Sequence, residues 1–245
     1  MRLLSAKNLS KAYYLQKDES CILALSNINF EIQKGEFVSI VGPSGCGKST
    51  LLKLIAGFEQ KSSGNLLFED KEIKTPHGKR NYIPQDSGLF PWLNVEENVK
   101  LAINKKEDKE KKALECLEKV GLAKFAKAYI DELSGGMKQR VALARALAME
   151  SKLILLDEPF SALDELSREK IDRELLEFFA QNEMSTILVT HSIKEAIILS
   201  DRIFVMDTNP GYIIKMISVK KEKDSHYKES LYEEILSLFN NSSTF

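Results

Sequence analysis

Hydrophobic residues follow two periods along the chain, and the switches between them divide it. Up to about residue 40 the pattern is that of short strands. Leu3-Leu4-Ser5-Ala6 and Ile22-Leu23-Ala24-Leu25 are apolar pieces, and Ile28, Phe30 and Ile32 alternate with polar neighbours. A polar loop, Gln16-Lys17-Asp18-Glu19-Ser20, interrupts them, and Lys34-Gly35-Glu36 is a turn into the next apolar run, Phe37-Val38-Ser39-Ile40-Val41. A helix follows from about Thr50 to Ala56, then Ser62-Ser63-Gly64, a strand at Asn65-Leu66-Leu67-Phe68, and a loop with Pro76 and Gly78. These strands predict an antiparallel sheet. From about Val95 to Met149 the spacing turns helical: Val95, Val99 and Ala102 recur on one face, as do Ala113, Leu114, Leu117 and Val120. The run Lys105 to Lys112 has mixed sign and reads as a solvated helix start or loop. From Ser151 strands and helices alternate. Leu153-Ile154-Leu155-Leu156, Thr186-Ile187-Leu188-Val189 and Ile203-Phe204-Val205-Met206 are unbroken apolar strands, as in a parallel sheet covered on both faces. Ile171, Leu175, Phe178 and Phe179 mark a covering helix, and Leu231, Ile235, Leu238 and Phe239 an amphipathic tail helix.

The join between the Phe37–Val41 strand and the following helix is Gly42-Pro43-Ser44-Gly45-Cys46-Gly47-Lys48-Ser49-Thr50. Strand, glycine-rich loop and helix in that order form a phosphate-binding P-loop. Gly45 and Gly47 lack a Cβ, so backbone N–H groups can turn inward around phosphate oxygens. The helix start adds unpaired donors and the positive end of its dipole. In such a loop Lys48 reaches the β and γ phosphates and the Ser49 hydroxyl binds Mg²⁺. The expectation is a nucleoside triphosphate, ATP, with Mg²⁺. The fold class is therefore α/β: a P-loop NTPase core with a parallel sheet, an N-terminal antiparallel β-subdomain and an inserted helical subdomain. The expected boundaries are about 1–89 and 151–220 for the core with its β-subdomain, about 90–150 for the helical subdomain and about 221–245 for the tail.

Two further stretches carry chemistry. Leu153 to Leu156 runs into Asp157-Glu158-Pro159, placing two carboxylates at the end of a buried strand, where α/β sheets keep their ligands. Asp157 suits the Mg²⁺ partner, and Glu158 the base that orients and polarises the attacking water. Leu133-Ser134-Gly135-Gly136-Met137-Lys138-Gln139-Arg140 opens a helix at the N-cap Ser134. Gly135 and Gly136 each cost a helix about 1 kcal/mol relative to alanine. Their presence makes sense where an anion must approach the backbone closely. Two phosphate-ready helix starts on one chain suggest a head-to-tail homodimer with ATP gripped between the copies.

Taken together, these motifs resemble the ATP-binding subunit of an ABC transporter, over about Leu3 to Met216. Gly42 to Ser49 and Leu153 to Asp157 resemble the family's Walker A and B motifs, and Leu133 to Met137 its signature. The resemblance implies further roles. Gln85, after Tyr82-Ile83-Pro84, matches the Q-loop glutamine that senses Mg²⁺ and the membrane subunit. Ser161-Ala162-Leu163-Asp164 matches the D-loop, whose Asp164 belongs to the nucleotide site. His191 matches the switch histidine that contacts the γ-phosphate, and Tyr13, next to Tyr14, the aromatic that stacks on adenine. Phe90-Pro91-Trp92-Leu93-Asn94-Val95, Thr75-Pro76 and Asn209-Pro210-Gly211 look like the nitrate, sulfonate and taurine importer branch. Phe90 and Trp92 are then either part of a groove for the permease's coupling helix or core aromatics of the helical lobe. Pro84 departs from the branch, which has an aromatic there, and Met137 replaces the more usual signature glutamine.

Composition narrows the partners. With 35 Lys and Arg against 36 Asp and Glu the net charge is −1, so no basic excess steers the chain onto nucleic acid. Cys21, Cys46 and Cys116 form no CxxC pair, and His77, His191 and His226 are scattered, which fits a reducing cytosol and no metal cluster. The N-terminus turns polar too early for a signal peptide, and no apolar run nears the ~18 residues of a membrane span. The resemblance thus implies a peripheral ATPase at the cytoplasmic face of the membrane. Its partners would be an integral permease and, indirectly, a solute-binding protein. Nitrate, an alkyl sulfonate, taurine, bicarbonate or a vitamin precursor all fit as solute. The competing class is a soluble ABC-type ATPase acting on nucleic acid or in translation.

Overall fold

The computed structural model describes residues 1–15, 20–103, 108–159, 184–220 and 224–242. Asp164 with the rest of the D-loop, and the expected covering helix with Ile171, Leu175, Phe178 and Phe179, lie outside these residues. The chain forms two compact units, Met1–His77 with Ser185–Phe245, and Gly78–Met184.

The first unit contains two sheets. Strands β1 (Arg2–Leu15), β2 (Ser20–Gln33), β4 (Ser63–Phe68) and β5 (Lys71–Glu72) form an antiparallel sheet in the order β2-β1-β4-β5. β1 and β2 are longer than the apolar pieces that announce them. Register shifts at Ala6/Leu9, Leu9/Lys11 and Lys11/Ala12 interrupt the alternation, and Asn8 and Asn27 both take φ of 50°. Such bulges break the period of two on which strand recognition depends. In the second sheet, β3 (Phe37–Val41) lies parallel to both β8 (Ser185–Val189) and β9 (Arg202–Asp207). β3 and β8 are buried along their whole length, as expected of strands covered on both faces. The sheet is mixed, because β10 (Tyr212–Ser218) adds to β9 antiparallel. Every residue of β10 is exposed or half-exposed, although Tyr212-Ile213-Ile214 and Met216-Ile217 are apolar. Phe30 and the fully buried Phe204 meet with ring centroids 5.6 Å apart. Helix α1 (Lys48–Ala56) follows β3, and α5 (Ile193–Leu199) follows β8. The last helix, α6 (Ser225–Ser242), buries Leu231 and Ile235 against Val41, Ile197, Ile203 and Val205, with Leu238 and Phe239 packed at the edge.

In the second unit, β6 (Arg80–Ile83) pairs parallel with β7 (Leu153–Asp157). Helices α2 (Val95–Lys100), α3 (Lys109–Lys119) and α4 (Gly135–Ala148) pack against one another. α2 starts on a capping box: the Asn94 side chain accepts from Glu97 N–H, and the Glu97 carboxylate accepts from Asn94 N–H. The helix stops at Lys100, leaving Ala102 outside it. α3 starts at the cap Asp108, so the described part of the charged run is a helix start. Its buried stripe is Ala113, Cys116, Leu117 and the C-cap Val120, while Leu114 is 40 % exposed. Cys116, not Leu114, completes the i, i+3, i+4, i+7 face.

Candidate nucleotide site

The phosphate loop occupies the turn from β3 into α1. Gly47 caps α1 with φ of 90° and no side-chain hydrogen bond, and the first turn holds no acidic residue. The helix start therefore keeps its positive end uncompensated by a side chain. Lys48 is buried, and its Nζ donates to the carbonyls of Gly42 at 2.7 Å and Pro43 at 2.8 Å, with Cys46 Sγ at 3.8 Å. These acceptors are neutral, so the loop holds a buried positive charge ready for an anion. Burial pushes the Cys46 thiol up, against the opposite pull of Lys48.

The back of the loop is tightly braced. A Cβ on Gly47 would sit 2.6 Å from Leu25 Cδ2, and one on Gly211 would sit 2.1 Å from the Cys46 carbonyl oxygen. Gly211 N–H donates to the Ala24 carbonyl, and its own carbonyl accepts from Ser26 N–H. The turn between β9 and β10 and the strand β2 thus close on the loop from behind.

His191 is exposed, one residue after Thr190, whose N–H donates to the Ile40 carbonyl on β3. Tyr13, half-buried on β1, has Lys11 Nζ 4.4 Å from its ring centroid, and Lys11 is itself held by Glu59 and the Gln60 carbonyl. Tyr14 is 65 % exposed.

In the second unit Asp157 is buried at the end of β7, and Glu158 follows with φ of 46°. The Tyr82 hydroxyl donates to Asp157 Oδ2 at 2.8 Å. Burial first, and the Asp157 carboxylate second, push the Tyr82 phenol well above its ordinary range. Gln85 is exposed on the loop after β6. Ser134 caps α4 as expected, accepting from Met137 N–H at 3.3 Å, with Gly135 exposed and Gly136 buried in the first turn.

The segment after Gln85 is wired to the helices. Ser87 Oγ donates to Gln139 Oε1 at 2.8 Å, and Arg145 donates to the Gly88 carbonyl at 2.7 Å with its guanidinium over the Phe90 ring. Asn98 accepts from Phe90 N–H and donates to the carbonyls of Phe90, Leu93 and Asn94. Phe90 and Trp92 meet at a tilt of 51° with centroids 5.4 Å apart, and Trp92 is 70 % exposed, so it is no core aromatic. Sequence reasoning missed Tyr82, Gln139, Arg145 and Glu195. Of these only Glu195 left a local signal, standing three residues after the cap Ser192.

The family profile described as ABC transporter matches residues 25–161, more than half of the chain. The chain belongs to the ABC transporter family. It is 43 % identical over 241 residues to the aliphatic sulfonates import ATP-binding protein SsuB of Bacillus cereus, covering 96 % of this chain and 95 % of that one. It is equally 43 % identical over 214 residues to the bicarbonate transport ATP-binding protein CmpC of Synechococcus elongatus, covering 85 % of this chain and 32 % of that longer protein. Among solved structures, a dimeric ATP-binding cassette in a post-hydrolysis state with ADP and phosphate superposes with a TM-score of 0.75 at 33 % identity. That match covers 90 % of this chain and all of the other. The cbiO1 subunit of an ABC transporter complex of Clostridium perfringens gives 0.79 at 27 % identity, covering 96 % and 92 %. As a member of this family the chain is an ATP-binding ATPase.

Proposed function

We propose that the chain is the ATP-hydrolysing subunit of an importer, working as a head-to-tail homodimer bound peripherally to a separate permease at the cytoplasmic face of the membrane. The observation that carries this reading is the 43 % identity, over nearly the whole of both chains, to an import ATP-binding protein. Consistent with a peripheral subunit, no helix among the described residues is long and apolar enough to cross a membrane. Alkyl sulfonates and bicarbonate, named in the relatives, make an anionic solute the favoured class, delivered to the permease by a solute-binding protein.

Within the subunit, the loop Gly42 to Thr50 cradles the phosphates, and the Lys48 ammonium neutralises the charge that grows during cleavage. Tyr13 stacks on adenine. Glu158 takes the proton of the attacking water, and His191 holds the γ-phosphate. Ser134, Gly135, Gly136 and Asp164 complete the nucleotide site in the roles the family gives them. The hydroxyl of Ser49, the carboxylate of Asp157 and the amide oxygen of Gln85 are hard oxygen donors, which fits Mg²⁺. When bound, Mg²⁺ supplies charge neutralisation at the phosphate oxygens.

Phosphate release by the purified chain tests this. Glu158→Gln should lower the rate about 10²–10⁴-fold while keeping ATP binding, and should pair on ATP. Full-speed hydrolysis by that variant, or failure to pair, overturns the reading. Strong stimulation of the wild-type protein by DNA or RNA would favour the nucleic-acid alternative.

A further inference from the structure

We propose that Glu195 is a positioning residue for His191, acting through Thr190 and Ser192. The proposal rests on the role given to His191 above. Glu195 and Thr190 are 4 % and 2 % exposed, so a buried carboxylate and a buried hydroxyl stand on either side of an exposed histidine in the sequence. A buried carboxylate is costly unless it is well hydrogen-bonded, and here the bonds form a closed circuit. The Thr190 hydroxyl donates to Glu195 Oε2 at 2.5 Å and accepts from Ser192 N–H at 3.0 Å. Glu195 N–H in turn donates to Ser192 Oγ at 3.2 Å.

In an ordinary capping box the carboxylate at the third helical position accepts directly from the N–H of the capping residue. Here the Thr190 hydroxyl is inserted between the two, so the circuit encloses residues on both sides of His191. Thr190 is also fixed from below, by its N–H to the Ile40 carbonyl on the strand that enters the phosphate loop. The backbone before and after His191 is therefore tied to one buried acid and to β3. A circuit needed only to start the seven-residue α5 would not require the extra hydroxyl. Its geometry suits a residue whose ring must meet a γ-phosphate at a set place.

The test is a mutant cycle on the full chain, read as kcat, KM and ATP affinity. Glu195→Ala and Thr190→Val should each lower kcat about 10–100-fold, the size of an ångström-scale misplacement, with ATP affinity within about 2-fold of wild type. Glu195→Gln and Thr190→Ser, which keep the acceptor and the hydroxyl, should stay within about 3-fold of wild type. In a His191→Ala background Glu195→Ala should add no further loss. If it multiplies the His191→Ala loss, or if Thr190→Val keeps full kcat, Glu195 only caps α5 and the proposal falls. If His191→Ala alone leaves kcat unchanged, the role of His191 fails first and the proposal falls with it. Thermal melts and ATP binding identify any variant lost to misfolding, and Thr190→Val then decides.

Discussion

Gly211→Ala puts one methyl group where the phosphate loop has no room for it. The new Cβ would lie 2.1 Å from the Cys46 carbonyl oxygen and 2.9 Å from that of Ala24. Reaching ordinary contact requires a shift of about 1.4 Å, because non-bonded heavy atoms settle near 3.5 Å. Overpacking of this kind costs about 1–3 kcal/mol. Which side yields decides what is measured. The turn is pinned to β2 by Gly211 N–H to the Ala24 carbonyl at 3.1 Å and by Ser26 N–H to the Gly211 carbonyl at 2.9 Å. Retreat of the turn would break both of these bonds, so the Cys46–Gly47 segment is the side that moves. The cost then falls on ATP binding, weakening affinity about 5–150-fold at 1.4 kcal/mol per decade. Were the turn to yield instead, the same energy would lower Tm, at about 2–4 °C per kcal/mol for a chain of this size, with affinity intact. Titration of a fluorescent ATP analogue, run beside a nucleotide-free melt, separates the two. An unchanged Kd refutes the claim that the turn braces the loop.

Two further outcomes concern the second unit. Tyr82→Phe deletes the hydroxyl that donates to Asp157, and a lost hydrogen bond to a charged group costs about 1.5–3 kcal/mol. The metal-free protein should melt about 3–12 °C lower, and an unchanged Tm would show that the bond contributes nothing. Glu96 is 4 % exposed and bonded to Lys100 and Lys127, which hold its carboxyl below the usual range. A depressed folded-state value stabilises above the unfolded value and is lost as pH falls through the folded one. Melting temperature should therefore drop on acidification below about pH 4.3, and Glu96→Gln should flatten that drop. Equal acid sensitivity of variant and wild type would rule this out.

The candidate nucleotide residues stand out in the sequence because their signals are local. A strand, a glycine loop and a helix start adjoin in sequence, and Ser134 announces its own helix. The residues that support the site are less visible because they act across strands and helices. Tyr82 reaches Asp157 through the parallel register of β6 and β7, in which Tyr82 stands opposite Leu155. Nothing in the run Arg80 to Ile83 marks that pairing. Likewise Gln139 and Arg145 sit on a helix whose sequence shows only its buried stripe, while their partners Ser87 and Gly88 lie more than fifty positions earlier. β10 went unread because its side chains, apolar or not, are all exposed or half-exposed, and β1 beyond Ala6 because its bulges shift the period.

The chain has a single tryptophan, and it stands almost bare on the loop that Asn98 and Arg145 hold in place. Steady-state emission from the unlabelled protein therefore comes with its indole signal from one address. A blue shift and reduced quenching by iodide on adding permease would register the covering of that address directly. ATP titrations of the isolated chain would be read against the same unobstructed baseline.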